Sequence, residues 1–314
     1  MAREFDLASL HTVHLVPLTA FKADGTLNLE AQAALTRRLY AAGIRCFLPA
    51  AGTSEFHSLS ADEIVALVRV TREASGSDAV IFSPVGLQLA HAIESGRRSI
   101  AAGADGIMFM PLSHPYLCDV GMRDYYMTVL DAVKAPALVY KKDPLPSNAL
   151  LLELAKHPSV VGVKYAWNQM HEFRSTVLAD REGIEWLCGS AERFAPYYML
   201  AGSRGYTSGA GNVCPHLTMA MHTALAAGEY SEGMRYQQLI IPIEDYRARQ
   251  GDSLNISMLK HAVKITGLDF GPARAPQRQL TAAEMTEIET LLKPILAAEA
   301  ELSGESAALG LSGH

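Results

Sequence analysis

Short apolar runs alternate with longer amphipathic segments along the first two-thirds of the chain, and this alternation constrains the fold more than any other feature. The apolar runs are rich in β-branched residues, as buried strands are, and the segments between them have helical periodicity. Eight runs are predicted to be strands: residues 12–18, 44–49, 80–82, 106–110, 137–140, 160–164, 185–188 and 205–208. Repeated βα units of this kind build a parallel sheet covered by helices.

Two α/β architectures could contain such units, a doubly wound sheet and a closed barrel. No Gly-x-Gly-x-x-Gly sequence follows the first strand, so the dinucleotide-binding doubly wound fold is disfavoured. Eight units within roughly two hundred residues predict a TIM (β/α)8 barrel. Beyond Pro215 only helical segments follow, near 216–227, 232–249, 253–266 and 282–302. We therefore predict a barrel over residues 1–226, a C-terminal helical appendage over 227–302 and a flexible tail over 303–314.

The composition of the chain limits the classes of binding partner that it can have. The 314 residues are 49% hydrophobic and 19% charged, with a net charge of −6, so neither nucleic acid nor an anionic membrane is an expected partner. No signal-like or membrane-spanning apolar stretch is present, which predicts a cytoplasmic protein. The cysteines are far apart, form no Cys-x-x-Cys pair and are predicted to be reduced: Cys46, Cys118, Cys188 and Cys214. No metal site and no cofactor are expected.

The run at 159–164, Ser-Val-Val-Gly-Val-Lys, ends a predicted buried strand with a lysine. An ammonium group among apolar neighbours loses hydration, which favours the neutral amine that can attack a carbonyl group. The alternative is that Lys164 merely extends to water at the end of the strand. The remaining strand ends bear on this choice.

Polar groups at the carboxyl ends of barrel strands face a common pocket. Strand two is followed by Gly-Thr-Ser-Glu at 52–55, strand five ends in Tyr-Lys-Lys at 140–142, and Ser208 to Asn212 follow strand eight. Each group alone fits an ordinary turn, core or surface role. Their occurrence together at one mouth favours an active site.

These residues resemble the dihydrodipicolinate synthase and N-acetylneuraminate lyase family. The resemblance rests on the Gly-Thr-x-Glu loop, on Tyr140 and Lys164 at the ends of strands five and six, and on Gly-Pro-x-Arg-x-Pro at 271–276. It covers nearly the whole chain. It implies a class I, metal-free lyase in which Lys164 forms a Schiff base with a 2-oxo acid and Tyr140 relays protons. It also implies that the loop of Gly52, Thr53 and Ser54 binds the substrate carboxylate through backbone amides and a hydroxyl group.

Positions at which this chain departs from the family pattern limit the range of possible substrates. Dihydrodipicolinate synthases usually have a threonine and an arginine where this chain has Gly52 and Leu145, so that activity is not expected. Lys142, Ser208 and Asn212 look more like the 5-dehydro-4-deoxyglucarate dehydratase branch, and all three are predicted to bind substrate. A lysine presents a point charge rather than a planar fork, so Lys142 would hold a carboxylate without bidentate geometry.

The resulting prediction is a dehydratase of a 2-keto-3-deoxy sugar acid. Two alternatives stay open: a pyruvate-releasing aldolase of the same family, and a catalytically silent homologue that binds sugar acids. The partner is a small 2-oxo acid. The resemblance further suggests a homo-oligomer, either a tetramer or a dimer. The tyrosine that many relatives place after strand four has no clear counterpart, and Tyr116 is either its substitute or an ordinary loop residue.

Overall fold

The computed structural model describes residues 5–304, in which eight parallel strands form a closed barrel. The strands follow one another around the barrel in chain order, and the eighth pairs with the first. They are β1 (Val13–Leu15), β2 (Cys46–Phe47), β3 (Val80–Val85), β4 (Gly106–Phe109), β5 (Ala137–Lys141), β6 (Val160–Tyr165), β7 (Glu185–Cys188) and β8 (Tyr206–Ser208). The predicted TIM barrel and all eight predicted strands are confirmed.

A helix follows each strand and covers the outside of the barrel. These helices are α1 (Leu29–Ala41), α2 (Ala61–Ala74), α3 (Leu89–Ala101), α4 (Asp119–Val133), α5 (Asn148–Leu154), α6 (Met170–Ala179), α7 (Ala191–Leu200) and α8 (Pro215–Ala226). Local sequence sets where they begin. Asn28 caps α1 by accepting a hydrogen bond from the Ala31 amide, and Ser60 with Glu63 forms a capping box at α2.

Four further helical segments form the C-terminal appendage: α9 (Tyr230–Arg247), α10 (Arg249–Asp252), α11 (Asn255–Ile265) and α12 (Ala282–Ser303). The break between α8 and α9 falls at the predicted boundary, although the division into two units stays a prediction. Of the predicted tail, Ser303 ends α12 and Gly304 caps it, and the rest lies outside the described residues. Within residues 5–304, no helix is long and apolar enough to cross a membrane.

Apolar side chains fill two regions, one inside the barrel and one between the sheet and its helices. The inner cluster includes Phe82, Leu138 and Val161, and the outer one includes Val139 and Val163. Side chains on a strand alternate between the two faces. Strand β6 breaks this rule, because Val161 faces inward and Val163, two residues later, faces outward.

A β-bulge in β6 explains this break in the alternation and sets the direction of the Lys164 side chain. Ala137 pairs with Val160, but Leu138 pairs with Gly162, so β6 contains one extra residue. The extra residue reverses the alternation and turns Lys164 into the barrel, where it pairs in register with Tyr140. Gly162 is required here, because a Cβ atom at this position would lie 2.6 Å from the Glu185 carbonyl oxygen.

Candidate active site

Lys164 lies at the carboxyl end of β6 and lines a cavity of about 310 Å³ at the barrel mouth. Its side chain is only 5% exposed. Burial, together with the charge of Lys142, lowers the pKa of the Lys164 amine to about 7, although the nearby Cys188 acts in the opposite direction. Within residues 5–304, no carboxylate group offsets this lowering of the pKa. Lowering of this pKa increases the share of the neutral amine near neutral pH, and the neutral form is the nucleophile.

Tyr140, on the adjacent strand β5, is the closest functional neighbour of Lys164. The lysine Nζ atom lies 4.0 Å from the centre of the tyrosine ring. Burial raises the pKa of the Tyr140 phenol to about 12, with minor contributions from Asp143 and Cys188. The phenol thus keeps its proton at neutral pH and can donate it to an oxygen bound beside Lys164.

The loop after β2 contributes two of its three predicted residues to the cavity. Gly52 and Thr53 line it. Ser54 does not: its side chain is fully buried, its hydroxyl donates to the Pro17 carbonyl oxygen, and its own carbonyl oxygen accepts from the Thr19 hydroxyl at 2.6 Å. The Ser54 hydroxyl is therefore used to hold the loop, and binding of substrate through the Ser54 backbone amide stays a prediction.

The same loop is fixed from behind by a buried ion pair. Glu55 has a left-handed backbone conformation with φ of 69°. Its carboxylate lies 2.7 Å from the Lys260 ammonium and accepts a hydrogen bond from the Arg274 amide at 2.8 Å. Arg274 belongs to the Gly-Pro-x-Arg-x-Pro segment, so this sequence signature holds the Thr53 loop rather than touching the cavity.

The two consecutive lysines at the end of β5 have different roles. Lys141 is buried, and its ammonium donates to the carbonyl oxygens of Asp143, Pro144 and Pro146 at 2.7–2.9 Å, which closes the following loop. Lys142 is exposed and lines the cavity. Only Lys142 is available to a substrate.

Ser208 and Asn212, which follow β8 and were both predicted to bind substrate, also differ in their positions. Ser208 lines the cavity, but its hydroxyl donates to the buried Glu192 carboxylate. Burial, and then the charge of Glu244, raises the pKa of Glu192. Asn212 is fully buried: its Oδ1 accepts from the Leu18 amide at 3.0 Å and its Nδ2 donates to the carbonyl oxygens of Val16 and Gly209 at 2.9 Å. The assignment of Asn212 to substrate binding is not supported, because these bonds use its side chain to join the segment after β1 to the loop after β8.

The cavity also contains polar residues that sequence reasoning missed. Asn168 and Ser190 follow β6 and β7, and the rule that strand ends face the pocket could have found them. Arg193, Glu244 and Arg247 come from helices α7 and α9, and no local pattern marks them. Tyr116 is 86% exposed and does not line this cavity.

The chain matches a known protein family over most of its length. Residues 9–295 match the model of the dihydrodipicolinate synthetase family. A probable 5-dehydro-4-deoxyglucarate dehydratase from Streptomyces coelicolor is 31% identical over 279 residues, which are 84% of this chain and 86% of that protein.

Two solved structures are similar to the whole barrel. The dihydrodipicolinate synthase of Bacillus clausii superposes with a TM-score of 0.88 at 33% identity and covers 91% of this chain and 98% of its own. The sialic acid aldolase of Ruminococcus gnavus shares the fold, with a TM-score of 0.86 at 18% identity and coverage of 94% and 99%. The chain therefore belongs to the dihydrodipicolinate synthetase family of lyases.

Proposed function

We propose that this lyase forms a Schiff base between Lys164 and a 2-oxo acid and that it dehydrates a 2-keto-3-deoxy sugar acid such as 5-dehydro-4-deoxyglucarate. One observation carries the proposal. The cavity holds a buried amine whose pKa is lowered to about 7, and Tyr140 lies beside it with a pKa raised to about 12. An amine nucleophile beside a protonated phenol is suited to imine formation near neutral pH.

The chemistry follows from these two groups. The neutral Lys164 amine attacks the keto carbon, and the resulting carbinolamine loses its oxygen as water with a proton from Tyr140, which leaves a protonated imine. The Tyr140 phenolate formed in that step accepts a proton from the adjacent CH₂, whose electron pair moves to the imine nitrogen and forms an enamine. That pair then returns and expels the hydroxyl group on the next carbon, which takes the proton back from Tyr140 and leaves as water. Hydrolysis of the imine releases the product, regenerates Lys164 and returns a proton to Tyr140.

The choice of dehydration over other lyase reactions is supported by relatives. The protein from Streptomyces coelicolor bears the name of a 5-dehydro-4-deoxyglucarate dehydratase. In addition, Lys142 supplies a cation in the cavity for the second carboxylate of a substrate that has two. A pyruvate-releasing aldolase would use the same imine and enamine, and it remains the alternative reaction.

Product analysis tests the proposal. The enzyme is incubated in D₂O with 5-dehydro-4-deoxyglucarate or 2-keto-3-deoxygluconate, and products are identified by NMR, with Lys164→Ala as the control. We expect a dehydrated acid, with or without carbon dioxide, only from the wild type. Pyruvate with an aldehyde would identify an aldolase, and binding without any product would identify a silent homologue.

Assembly and location are further parts of the proposal. Large apolar side chains are exposed beside the loop after β4, namely Leu87 at 53%, Tyr116 at 86% and Val120 at 61%. Clustered apolar exposure of this kind favours an interface between subunits. We propose a cytoplasmic homo-oligomer, a dimer or a tetramer, which light scattering after size-exclusion chromatography would distinguish from a monomer.

A further inference from the structure

Arg247, in the last turn of α9, brings a guanidinium group from the appendage into the cavity. Its side chain is 6% exposed, so the charge is almost fully removed from water. Burying an arginine is costly unless its donors are used. Nη1 donates to the Glu244 carboxylate, which balances the charge on one edge of the guanidinium.

The other edge is only partly used. Nη2 donates to the Asn255 Oδ1 atom at 2.8 Å, and it lies 3.5 Å from the Thr53 hydroxyl oxygen. That second separation is longer than a normal hydrogen bond. The buried Nε atom has no hydrogen-bond partner within residues 5–304. A guanidinium carries five N–H donors, so Arg247 keeps unused donors beside Thr53.

The backbone makes room for this arrangement. Gly209, which follows β8 and also lines the cavity, faces the guanidinium directly, and a Cβ atom there would lie 2.6 Å from Nη2. Any side chain at this position would displace Arg247. The arginine, Thr53 and Gly209 therefore form one corner of the cavity, which we term the Arg247 corner.

We propose that Arg247 binds the carboxylate next to the keto group of the substrate, together with the Thr53 hydroxyl. This inference rests on the proposed Schiff-base function. A carboxylate oxygen placed between Nη2 and the Thr53 hydroxyl would accept from both, and charge-assisted bonds of this kind are the stronger class. Arg247 would then set specificity for 2-oxo acids over ketones that lack the acid group.

Reductive trapping of the imine tests the proposal with two small probes. Pyruvate has a keto group and a carboxylate, whereas methyl pyruvate has the keto group and a neutral ester. The concentration of each probe that gives half-maximal labelling by borohydride is measured by intact mass for the wild type, Arg247→Gln and Arg247→Lys. Arg249→Gln is the matched control, since Arg249 lies two residues away, is half exposed and pairs with Glu287 outside the cavity.

Arg247→Gln should raise the half-saturating concentration of pyruvate by at least about tenfold, with methyl pyruvate unchanged. Arg247→Lys keeps a charge and should lose less; it also supplies the test should the glutamine variant fold poorly. Arg249→Gln should match the wild type. An unchanged pyruvate value in Arg247→Gln, or an equal loss for both probes, would overturn the role of Arg247 and leave the Schiff-base function standing. Failure of the wild type to label with either probe would overturn both.

Discussion

Replacing Lys164 by methionine should make the protein more stable, because the folded chain holds this amine against its preference for water. The pKa of the amine falls from 10.5 to about 7 on burial. At about 1.36 kcal/mol for each pH unit, this difference corresponds to about 5 kcal/mol of destabilisation. Unfolding entropy of about 2.1 cal/mol/K per residue over 314 residues gives about 0.66 kcal/mol/K. At a pH below 7, Lys164→Met should therefore raise the melting temperature by about 7 °C.

The pH dependence gives this prediction its sign. The pKa is lower in the folded than in the unfolded chain, so the unfolded chain binds the extra proton between pH 7 and pH 10.5. The destabilisation is full below about pH 7 and disappears as the pH rises towards 10.5. Melting curves of the wild type and Lys164→Met at matched concentration from pH 6 to pH 10 should thus converge. A difference in melting temperature that is near zero or independent of pH would refute the claim that Lys164 is desolvated.

Two further substitutions test the geometry around the amine. Gly162→Ala should cost roughly 1–3 kcal/mol of stability and reduce imine trapping, because its Cβ atom would press on the Glu185 carbonyl oxygen and disturb the bulge that aims Lys164; trapping equal to the wild type would show that the bulge is not needed. Tyr140→Phe should lower kcat by about 10²-fold or more with a small change in KM, since the phenol donates a proton rather than binding charge. A rise in KM at constant kcat would contradict that role.

Much of the fold could be predicted from the sequence, because strand and helix periodicity is local. Asn28 and Ser60, for example, are residue types that cap helices, and each lies directly before a helix in the structure. The bulge could not be predicted in this way: Val-Val-Gly-Val reads as an uninterrupted buried strand, and only pairing with β5 reveals the extra residue. The inward direction of Lys164 depends on that non-local pairing.

The positions of Lys164, Tyr140 and Thr53 at or just after strand ends were predictable from the sequence, and all three residues line the cavity. For Lys164 the direction of the side chain was not, because it depends on the bulge. Ser54 and Asn212 have the right position in the chain, but their polar atoms bond to neighbouring backbone groups that sequence alone does not place. Arg247 was missed because its position in the chain gives no sign that it reaches the cavity.

Arg247 lies about two hundred positions from Thr53 in the chain, in a helix with no motif, and it reaches the cavity because the C-terminal end of α9 lies there. Contacts of this kind arise from tertiary packing between distant segments, so they cannot be predicted from local sequence patterns.

Borohydride trapping with peptide mapping tests the central claim most directly. Wild-type protein is treated with pyruvate or a 2-keto-3-deoxy sugar acid at pH 7, reduced, digested and mapped. We predict one stable adduct, carried by Lys164 and absent from Lys164→Met. A modification on another lysine, or no adduct with any 2-oxo acid, would contradict the Schiff-base mechanism.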